Sequence, residues 1–590
     1  MTIFDVLEMI GGLALFLYGM NVLGDGLKKT SGGKLEKILE KLTSTPLKAA
    51  LMGAGVTAII QSSSATTVMV VGFVNSGIMK LQQAVGIIMG ANVGTTITAW
   101  MLSMSVIESG SFFVKLLKPS SFSPILAIIG VIIIMFSKKD KKKDIATILV
   151  GFAVLMIGMD IMSGAVSGLK DVPEFTSILT MFSNPVLGLL AGLALTAAIQ
   201  SSSASVGILQ ALCSTGTITY ATAIPVIMGQ NIGTCVTALI SSVGASKDAR
   251  RAALIHLYYC IVKTTAFMLG FYAIDSFVDF SFMESYISAV GVATVHSLFN
   301  IGSCIILLPV SQLFVKLVCF TIPDGPVTEL ELTKEEMELR SLDVRFLDRP
   351  GFALERCKHV ANVMAGLAKK SMDMSLNLLY SYNEEEAKEV VRLESEVDKF
   401  EDELGTYLVK LSSRDLSGKE SQMLSVLLHS IGDFERISDH ALNIKEAADE
   451  MHEKQLTFSE KATEELQVFA TAIKDILNMS MNVFESEDLE MAELVEPLEE
   501  VIDQLNVEMK KRHVKRLRKG KCTIELGFIL SDITTNFERV ADHCSNIAVN
   551  LLQSGDEEFE AHEYKDTLKT SDNLDFQGRV MAYRSKYTLP

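Results

Sequence analysis

The chain has 590 residues, 49% of them hydrophobic, and 70 acidic against 53 basic side chains give a formal net charge of −17. Residues up to about 320 are apolar and rich in Gly, Ser and Thr, while the acidic excess falls mainly beyond them, so two unlike regions are expected. No dense basic face appears, which argues against a nucleic acid partner.

Residues 4–26 form the first membrane span, near the twenty or so residues that a helix needs to cross the hydrocarbon. Asp5 and Glu8 stand where a signal peptide would be basic, and no small-residue cleavage site follows, so this segment is expected to stay in the protein. A basic amphipathic stretch follows with Lys28, Lys29, Lys34, Lys37 and Lys41. Pro46 opens an apolar run to Gln61, and a second runs from about Ala65 to Ile78; each is too short to span. The pair reads as a re-entrant hairpin with Gln61–Ser64 at its tip, which a membrane tolerates only inside protein or around a wet cavity. Residues 81–104 are apolar again, but Asn92-Val93-Gly94-Thr95-Thr96 interrupts them as in a broken helix. A further span at 122–136 ends at the basic cluster Lys138–Lys143.

The pattern then repeats 139 residues later. Gln61-Ser62-Ser63-Ser64-Ala65-Thr66-Thr67 returns as Gln200-Ser201-Ser202-Ser203-Ala204-Ser205, and Asn92-Val93-Gly94-Thr95 as Asn231-Ile232-Gly233-Thr234. A span at 145–167, a hairpin at 185–218 and a broken helix at 221–243 make the second copy. Lys247, Arg250 and Arg251 follow, then spans at 252–274 and 286–320, the last long enough to tilt or kink. The boundaries are therefore repeat 1 at about 4–137, repeat 2 at about 145–274 and an extra helix at 286–320, all within a membrane domain spanning residues 1–320.

Placing Lys138–Lys143 in the cytoplasm puts the Lys28–Lys41 stretch, the Lys247–Arg251 loop and the charged C-terminal half on the same side. Asp171 and Glu174, and Asp275, Asp279 and Glu284, fall outside; Lys115 and Lys118 are exceptions. The two hairpins then enter from opposite faces, so the repeats are inverted, as suits alternating access.

A serine hydroxyl both donates and accepts, so one cluster can face an anion or a cation. A half-helix starting after Gln61 would aim free N–H groups at the tip, and one ending there would offer carbonyls to Na⁺. With no charged side chain in either tip, binding opposite charges together offsets their desolvation. Cation-coupled uptake of a small oxyanion follows. A single Ser run would more often be helix packing, but two copies with Asn-x-Gly-Thr behind each favour a site. Candidate binding residues are Gln61, Ser62, Ser63, Ser64, Thr66, Thr67, Asn92 and Thr95, with Gln200, Ser201, Ser202, Ser203, Asn231 and Thr234. Asp160, His256, Lys263, His296 and Asn300 are weaker candidates: they could move protons, bind cations or simply pair with one another.

Paired QSSS motifs in inverted halves resemble the type II sodium-dependent phosphate cotransporter family in its bacterial form, over about residues 1–320. The resemblance implies that phosphate and Na⁺ bind between the hairpins, on Gln61–Ser64, Thr66, Thr67 and Gln200–Ser203. This chain departs from many relatives in carrying Ala204-Ser205-Val206 where a Thr-Thr pair follows the second motif, which bears on the number of coupled Na⁺ ions.

Pro323, Gly325 and Pro326 mark a linker, 321–345. From 346 to 560 apolar residues recur at helical spacing, and this half is also duplicated. Glu394 and Asp398 return as Glu499 and Asp503, and Glu435, Asp439 and His440 as Glu538, Asp542 and His543. Glu and Asp four apart share a helix face, so four such pairs suggest a multidentate oxygen site for metal, with a solvated acidic face as the alternative. The pattern resembles PhoU, a phosphate-signalling regulator of two three-helix bundles, which implies a divalent or iron- or zinc-type metal on those ExxxD pairs. The tail, 561–590, shows no apolar period and is expected to be loosely ordered. The eight cysteines form no CxxC pair and read as reduced packing thiols.

The expected protein is all-α: a polytopic membrane transporter with two inverted repeats and re-entrant hairpins, then a cytoplasmic PhoU-like helical bundle. It is read as a multi-pass protein of the cytoplasmic membrane and not as an enzyme. Its expected work is Na⁺-coupled symport of inorganic phosphate under PhoU-like regulation. A carrier of another oxyanion such as sulfate, a phosphate sensor without net flux, and a homo-oligomer all stay open.

Overall fold

A computed structural model describes residues 3–31, 45–104, 119–137, 139–166, 181–323, 333–555 and 574–590. Apart from one isolated bridge, Thr219 to Tyr286, the regular structure among the described residues is helical. The chain divides into two units, Met1–Leu332 with Asp343–Phe352, and Thr333–Leu342 with Ala353–Pro590. Of the charges used to trace topology, Lys34, Lys37, Lys41, Lys115, Lys118, Lys138, Asp171 and Glu174 lie outside the described residues.

The first unit contains α1 (Ile3–Ser31), α2 (Pro46–Ile60), α3 (Ser63–Asn75), α4 (Leu81–Ser103), α5 (Pro119–Phe136) and α6 (Asp140–Val166). It continues with α7 (Pro185–Ile199), α8 (Ser202–Cys213), α9 (Tyr220–Gly233), α10 (Cys235–Ser241), α11 (Lys247–Val278), α12 (Ala289–Leu307) and α13 (Ser311–Thr321). Among the described residues, six helical segments are long and apolar enough to cross a membrane; α2, α3, α7, α8 and Ser121–Phe136 are shorter apolar helices. The last long segment, Ala289–Thr321, changes from α to 3₁₀ geometry at Leu308–Val310, where Pro309 cannot supply an N–H.

Small residues set the packing. On α1, Gly12 faces Met162 and Gly19 faces Leu155; on α6, their copies Gly151 and Gly158 face Leu23 and Phe16. Positions rise along one helix as they fall along the other, so α1 and its own copy run antiparallel about a pseudo-two-fold axis. That is the geometry of inverted repeats. Within each repeat a second seam is duplicated contact for contact. A Cβ at Gly90 would stand 1.9 Å from the Ala50 carbonyl oxygen, and one at Gly229 would stand 1.9 Å from that of Leu189. Only glycine lets the backbones of α2 and α4, and of α7 and α9, approach this closely.

Of the expected broken helices, the first is not broken: α4 runs without interruption through Asn92. The second is interrupted at one residue, Thr234, between α9 and α10, and its backbone stays right-handed helical there (φ −62°, ψ −25°). The polar side chains explain this, because each closes onto its own helix. Asn92 donates to the Ile88 carbonyl at 2.9 Å, Thr95 to Ala91 at 3.1 Å and Thr234 to Gln230 at 3.0 Å. Such back-bonding satisfies a buried polar group without opening the ladder.

The start of the expected bundle, and some of the linker before it, belong to the first unit. Asp343 accepts from Asn75 at 2.6 Å and from Arg345, whose Nε donates to the Ser241 carbonyl at 2.9 Å. Phe346 and Phe352 pack on Phe73 of α3 at 5.3 Å each.

The second unit contains α14 (Lys334–Leu339), α15 (Pro350–Leu378, from Ala353 on), α16 (Glu384–Ser412), α17 (Gly418–Glu453), α18 (Glu460–Ser486), α19 (Val495–Arg518) and α20 (Ile524–Gly555). Its buried residues, such as Leu393, Val397, Phe400 and Leu404 on α16, recur at helical spacing. α17 and its copy α20 cross so that His543 meets Asp433 at 2.9 Å and His440 meets Asn536 at 2.8 Å. The tail departs from expectation. Leu574–Lys586 forms a final helix, α21, with Phe576 and Val580 buried, and Lys586 and Tyr587 both bond Asp475 of α18. Two buried apolar residues on a helix otherwise rich in charge are too few to read as a period.

Candidate functional site

Each hairpin turns on two residues. α2 ends at Ile60, Gln61 adopts the left-handed conformation (φ 59°, ψ 24°), and Ser62 is extended (φ −148°, ψ 105°) as the N-cap of α3. In the second copy Gln200 (φ 58°, ψ 21°) and Ser201 (φ −139°, ψ 109°) do the same between α7 and α8. Ser62 Oγ accepts from Ala65 N–H at 3.2 Å, and Ser201 Oγ from Ala204 N–H at 3.3 Å. The serine is thus a helix cap as well as a hydroxyl. A left-handed glutamine could not be read from the sequence, since glutamine has no special tolerance for positive φ.

The two tips meet. A cavity of ≈260 Å³ is lined by Gln61–Ser64 and Gln200–Ser203, with Ile60, Ile199 and Met20, Asn21 and Gly24 of α1. Both α3 and α8 begin at it, so two helix N-termini present first-turn N–H groups and positive dipole ends to one space. Among the described residues, no charged side chain lines the cavity. Its donors suit an oxyanion, while the carbonyl ends of α2 and α7 and the serine oxygens suit a hard monovalent cation beside it. Asn21 is not among the sequence candidates. A signal for it exists, because its repeat partner is Asp160, a second polar residue in an apolar helix.

The remaining candidates lie elsewhere. Thr66 and Thr67 are buried and donate to the Ser62 and Ser63 carbonyls at 3.1 and 2.9 Å, away from the cavity lining. Asn92 and Asn231 meet at Lys263. Thr95 and Thr234 are spent on their own helices. Asp160 is exposed, and among the described residues neither ring nitrogen of buried His256 has a hydrogen-bond partner. Among the described residues, Cys235, His256 and Cys260 form the one trio of His, Cys or acidic side chains with ligand atoms within 4.8 Å of one another.

The half-sites share a backbone and differ in their support. Gln61 is buried, its Oε1 accepting from Thr98 at 2.8 Å and its Nε2 donating to Ala58. Gln200 is exposed to the cavity, and Thr237, the copy of Thr98, donates instead to the Thr234 carbonyl at 3.0 Å. Thr57 bonds Thr66 at 3.0 Å, whereas the hydroxyls of their copies, Thr196 and Ser205, are buried without a partner among the described residues.

In the second unit Glu394 and Asp398 of α16 face Glu435 and Asp439 of α17. Burial, then Asp439 and Asp398, push the Glu394 carboxyl above the usual range; burial, then Asp439, do the same to Glu435. Arg436 bridges Asp439 at 3.2 Å and Glu435 at 3.4 Å. In the copy Glu499 is buried, Asp503 is half-buried, Glu538 accepts from Asn506 at 2.5 Å, and Asp542 pairs with Arg539 at 3.2 Å.

The sequence profile of the Na⁺/Pi-cotransporter family matches residues 15–164 and 170–295, and that of the PhoU domain matches 362–448 and 466–551. The chain joins a Na⁺/Pi-cotransporter domain to paired PhoU domains. YjbB of Salmonella typhimurium, provisionally named an inorganic phosphate export protein, is 24% identical over 95% of this chain and 99% of its own length. The human sodium-dependent phosphate transport protein 2B is 37% identical over 20% of this chain and 19% of its own length. A PhoU homologue of Thermotoga maritima, named as an accessory protein of a phosphate-specific transport system, is 25% identical over 32% of this chain and 81% of its own. Both hairpin tips and Lys263 fall inside the cotransporter match, and all four ExxxD pairs inside the PhoU matches.

Proposed function

We propose that this Na⁺/Pi-cotransporter domain carries inorganic phosphate together with Na⁺ across the cytoplasmic membrane by alternating access around the cavity between its two hairpin tips. The observation that carries the reading is the convergence of both Gln-Ser-Ser-Ser tips, with two helix N-termini, on one space that no charged side chain lines among the described residues. Phosphate would take the serine hydroxyls and the first-turn amides, and Na⁺ would take carbonyl and hydroxyl oxygens, each ion offsetting the other's desolvation. The antiparallel packing of α1 on its copy supports two halves that exchange roles. The PhoU domains lie in the cytoplasm in this reading, in line with the exposed Lys139, Lys141, Lys142 and Lys143 after α5. They regulate the carrier, and their ExxxD carboxylates take a divalent or iron- or zinc-type metal. The Glu394, Asp398, Glu435 and Asp439 set fits such an ion, being hard oxygens held close enough to raise one another's affinity for protons.

Labelled phosphate uptake into proteoliposomes, with and without an inward Na⁺ gradient, tests the proposal. Uptake is expected to need Na⁺ and to fall in Ser62→Ala and Ser201→Ala protein that inserts normally. Unlabelled sulfate should compete poorly, and binding without flux would turn the protein into a sensor. A second reading, net export, is favoured by the name of YjbB, which this chain matches from end to end. Vesicles of opposite orientation, loaded with phosphate, separate the two directions.

A further inference from the structure

Lys263 lies in the middle of α11 with 1% of its surface exposed. Its ammonium donates to three amide oxygens, Asn300 Oδ1 at 2.8 Å, Asn92 Oδ1 at 2.9 Å and Asn231 Oδ1 at 3.1 Å. That uses all three of its N–H donors. The rings of Tyr259 and Phe299 lie 4.8 and 5.1 Å from Nζ, giving the charge two aromatic faces. No ion pair joins it to a carboxylate among the described residues, an uncommon state for a buried charge.

The three amides are set to hold a cation whatever its source. Each Nδ2 donates to the carbonyl four residues earlier on its own helix, to Ile88, Ile227 and His296, at 2.9 Å in every case. With the nitrogen fixed outward, each oxygen must face inward. Asn92 and Asn231 are copies at the 139-residue offset, so the cage straddles the pseudo-symmetry of the repeats, while Lys263 has Pro124 at its equivalent position. A symmetric pair of ligands with one asymmetric cation between them points to an ion site filled from the chain. The cage is also wired to the hairpin. Asn92 precedes Thr98, which holds Gln61, by six residues, about 9 Å along α4.

We propose that Asn92, Asn231 and Asn300 form a monovalent-cation site in which the Lys263 ammonium stands in for a Na⁺ ion, lowering by one the number of Na⁺ ions that the carrier binds. The inference rests on the reading of this half as a Na⁺-coupled carrier, but its test counts bound ions and not flux.

The test compares full-length wild type with Lys263→Ala, each purified in Na⁺, choline and methylammonium buffers, by equilibrium binding of labelled Na⁺. Lys263→Ala is expected to bind one more Na⁺ per chain than wild type, and methylammonium should displace that extra ion. In proteoliposomes its phosphate flux should rise more steeply with Na⁺. A variant recovered in Na⁺ or methylammonium but lost in choline also supports the cage. An unchanged Na⁺ count in folded variant, or equal loss in every buffer, means a purely structural lysine and overturns the proposal. If wild type moves no phosphate on Na⁺, the carrier reading fails, while the difference in bound Na⁺ still decides this one.

Discussion

The left-handed glutamines at the two tips allow a prediction with opposite signs at equivalent positions. For a residue with a Cβ, the left-handed conformation costs about 1–2 kcal/mol. Glycine removes that strain, though it loses about 0.5–1 kcal/mol more backbone freedom on folding. At Gln200 (φ 58°) the side chain is exposed to the cavity and makes no hydrogen bond with the described residues. Gln200→Gly should therefore stabilise the protein by about 0.5–1 kcal/mol. At Gln61 (φ 59°) the same relief is outweighed. The amide there accepts from Thr98, and its loss leaves a hydroxyl 3% exposed without a partner. Leaving such a group unpaired costs about 1–3 kcal/mol, so Gln61→Gly should be destabilising by about 1–2 kcal/mol. At about 2–4 °C per kcal/mol, melting should rise by roughly 1–4 °C for Gln200→Gly and fall by several degrees for Gln61→Gly. A thiol-reactive dye can follow the transition in the purified full-length protein, because Cys213, Cys235, Cys260 and Cys304 are buried and free. Phosphate flux should drop in both variants, since both amides line the cavity. Shifts of the same sign, or a less stable Gln200→Gly, would refute the assignment of strain at one tip and clamp at the other.

Other predictions concern the caps, the glycine seams and the acidic sets. Ser62→Gly should keep all but a few tenths of a kcal/mol of cap stability while Ser62→Ala loses about 1 kcal/mol. Both should weaken phosphate binding about tenfold or more, because a hydrogen bond to a charged ligand is worth about 1.5–3 kcal/mol. Equilibrium binding beside melting curves separates the two roles. Gly90→Ala and Gly229→Ala, whose Cβ atoms would fall 1.9 Å from a carbonyl oxygen, should cost about 1–3 kcal/mol each and lower the yield of inserted protein. Gly55→Ala, with nothing within 4 Å of its Cβ, should melt like wild type or slightly higher. In the PhoU domains, the raised Glu394 and Glu435 carboxyls hold protons that the unfolded chain releases from about pH 4.3. The native state thus binds more protons, and stability falls as pH rises through the raised values. Glu394→Gln should flatten that fall in melting curves recorded from pH 4 to 8, and a bound divalent cation should do the same for wild type.

Much of this was legible because it rests on length and period. Runs of about fifteen apolar residues are too short to span a membrane, and the structure has α2, α3, α7 and α8 at those places. The constant offset identified the repeats, and the cavity gathers the two hydroxyl strings it relates. What escaped depends on where side chains turn. Asn92 and Thr95 looked like helix breakers, yet each bonds its own helix. Lys263 appeared only as one of several intramembrane charges, because nothing in a linear spacing brings α11 to α4, α9 and α12 at one point. Tyr587, meeting Asp475 from 112 residues away, is illegible for the same reason.

The duplication that made the site legible also hides the difference between its halves. Identical backbone angles at Gln61 and Gln200 follow from identical neighbours: a proline-initiated helix before the tip and a serine cap after it. The angles alone would make the half-sites interchangeable. Their supports do not. Thr98 holds the first glutamine, and Thr57 holds Thr66 beneath it; in the second copy Thr237 bonds elsewhere, and the hydroxyls of Thr196 and Ser205 have no partner among the described residues. Strain at the first tip is thus balanced by buried hydrogen bonds present with or without a ligand. At the second tip no such bonds among the described residues oppose it; of these groups only the Gln200 side chain lines the cavity, and Thr196 and Ser205 are not in its lining. Under the alternating access proposed above, the first hairpin is the better-supported wall and the second the one whose order depends on what Gln200 and its serines bind. On that proposal, a loaded ion pair shifts the balance between two otherwise similar arrangements, because the two halves hold their glutamines differently.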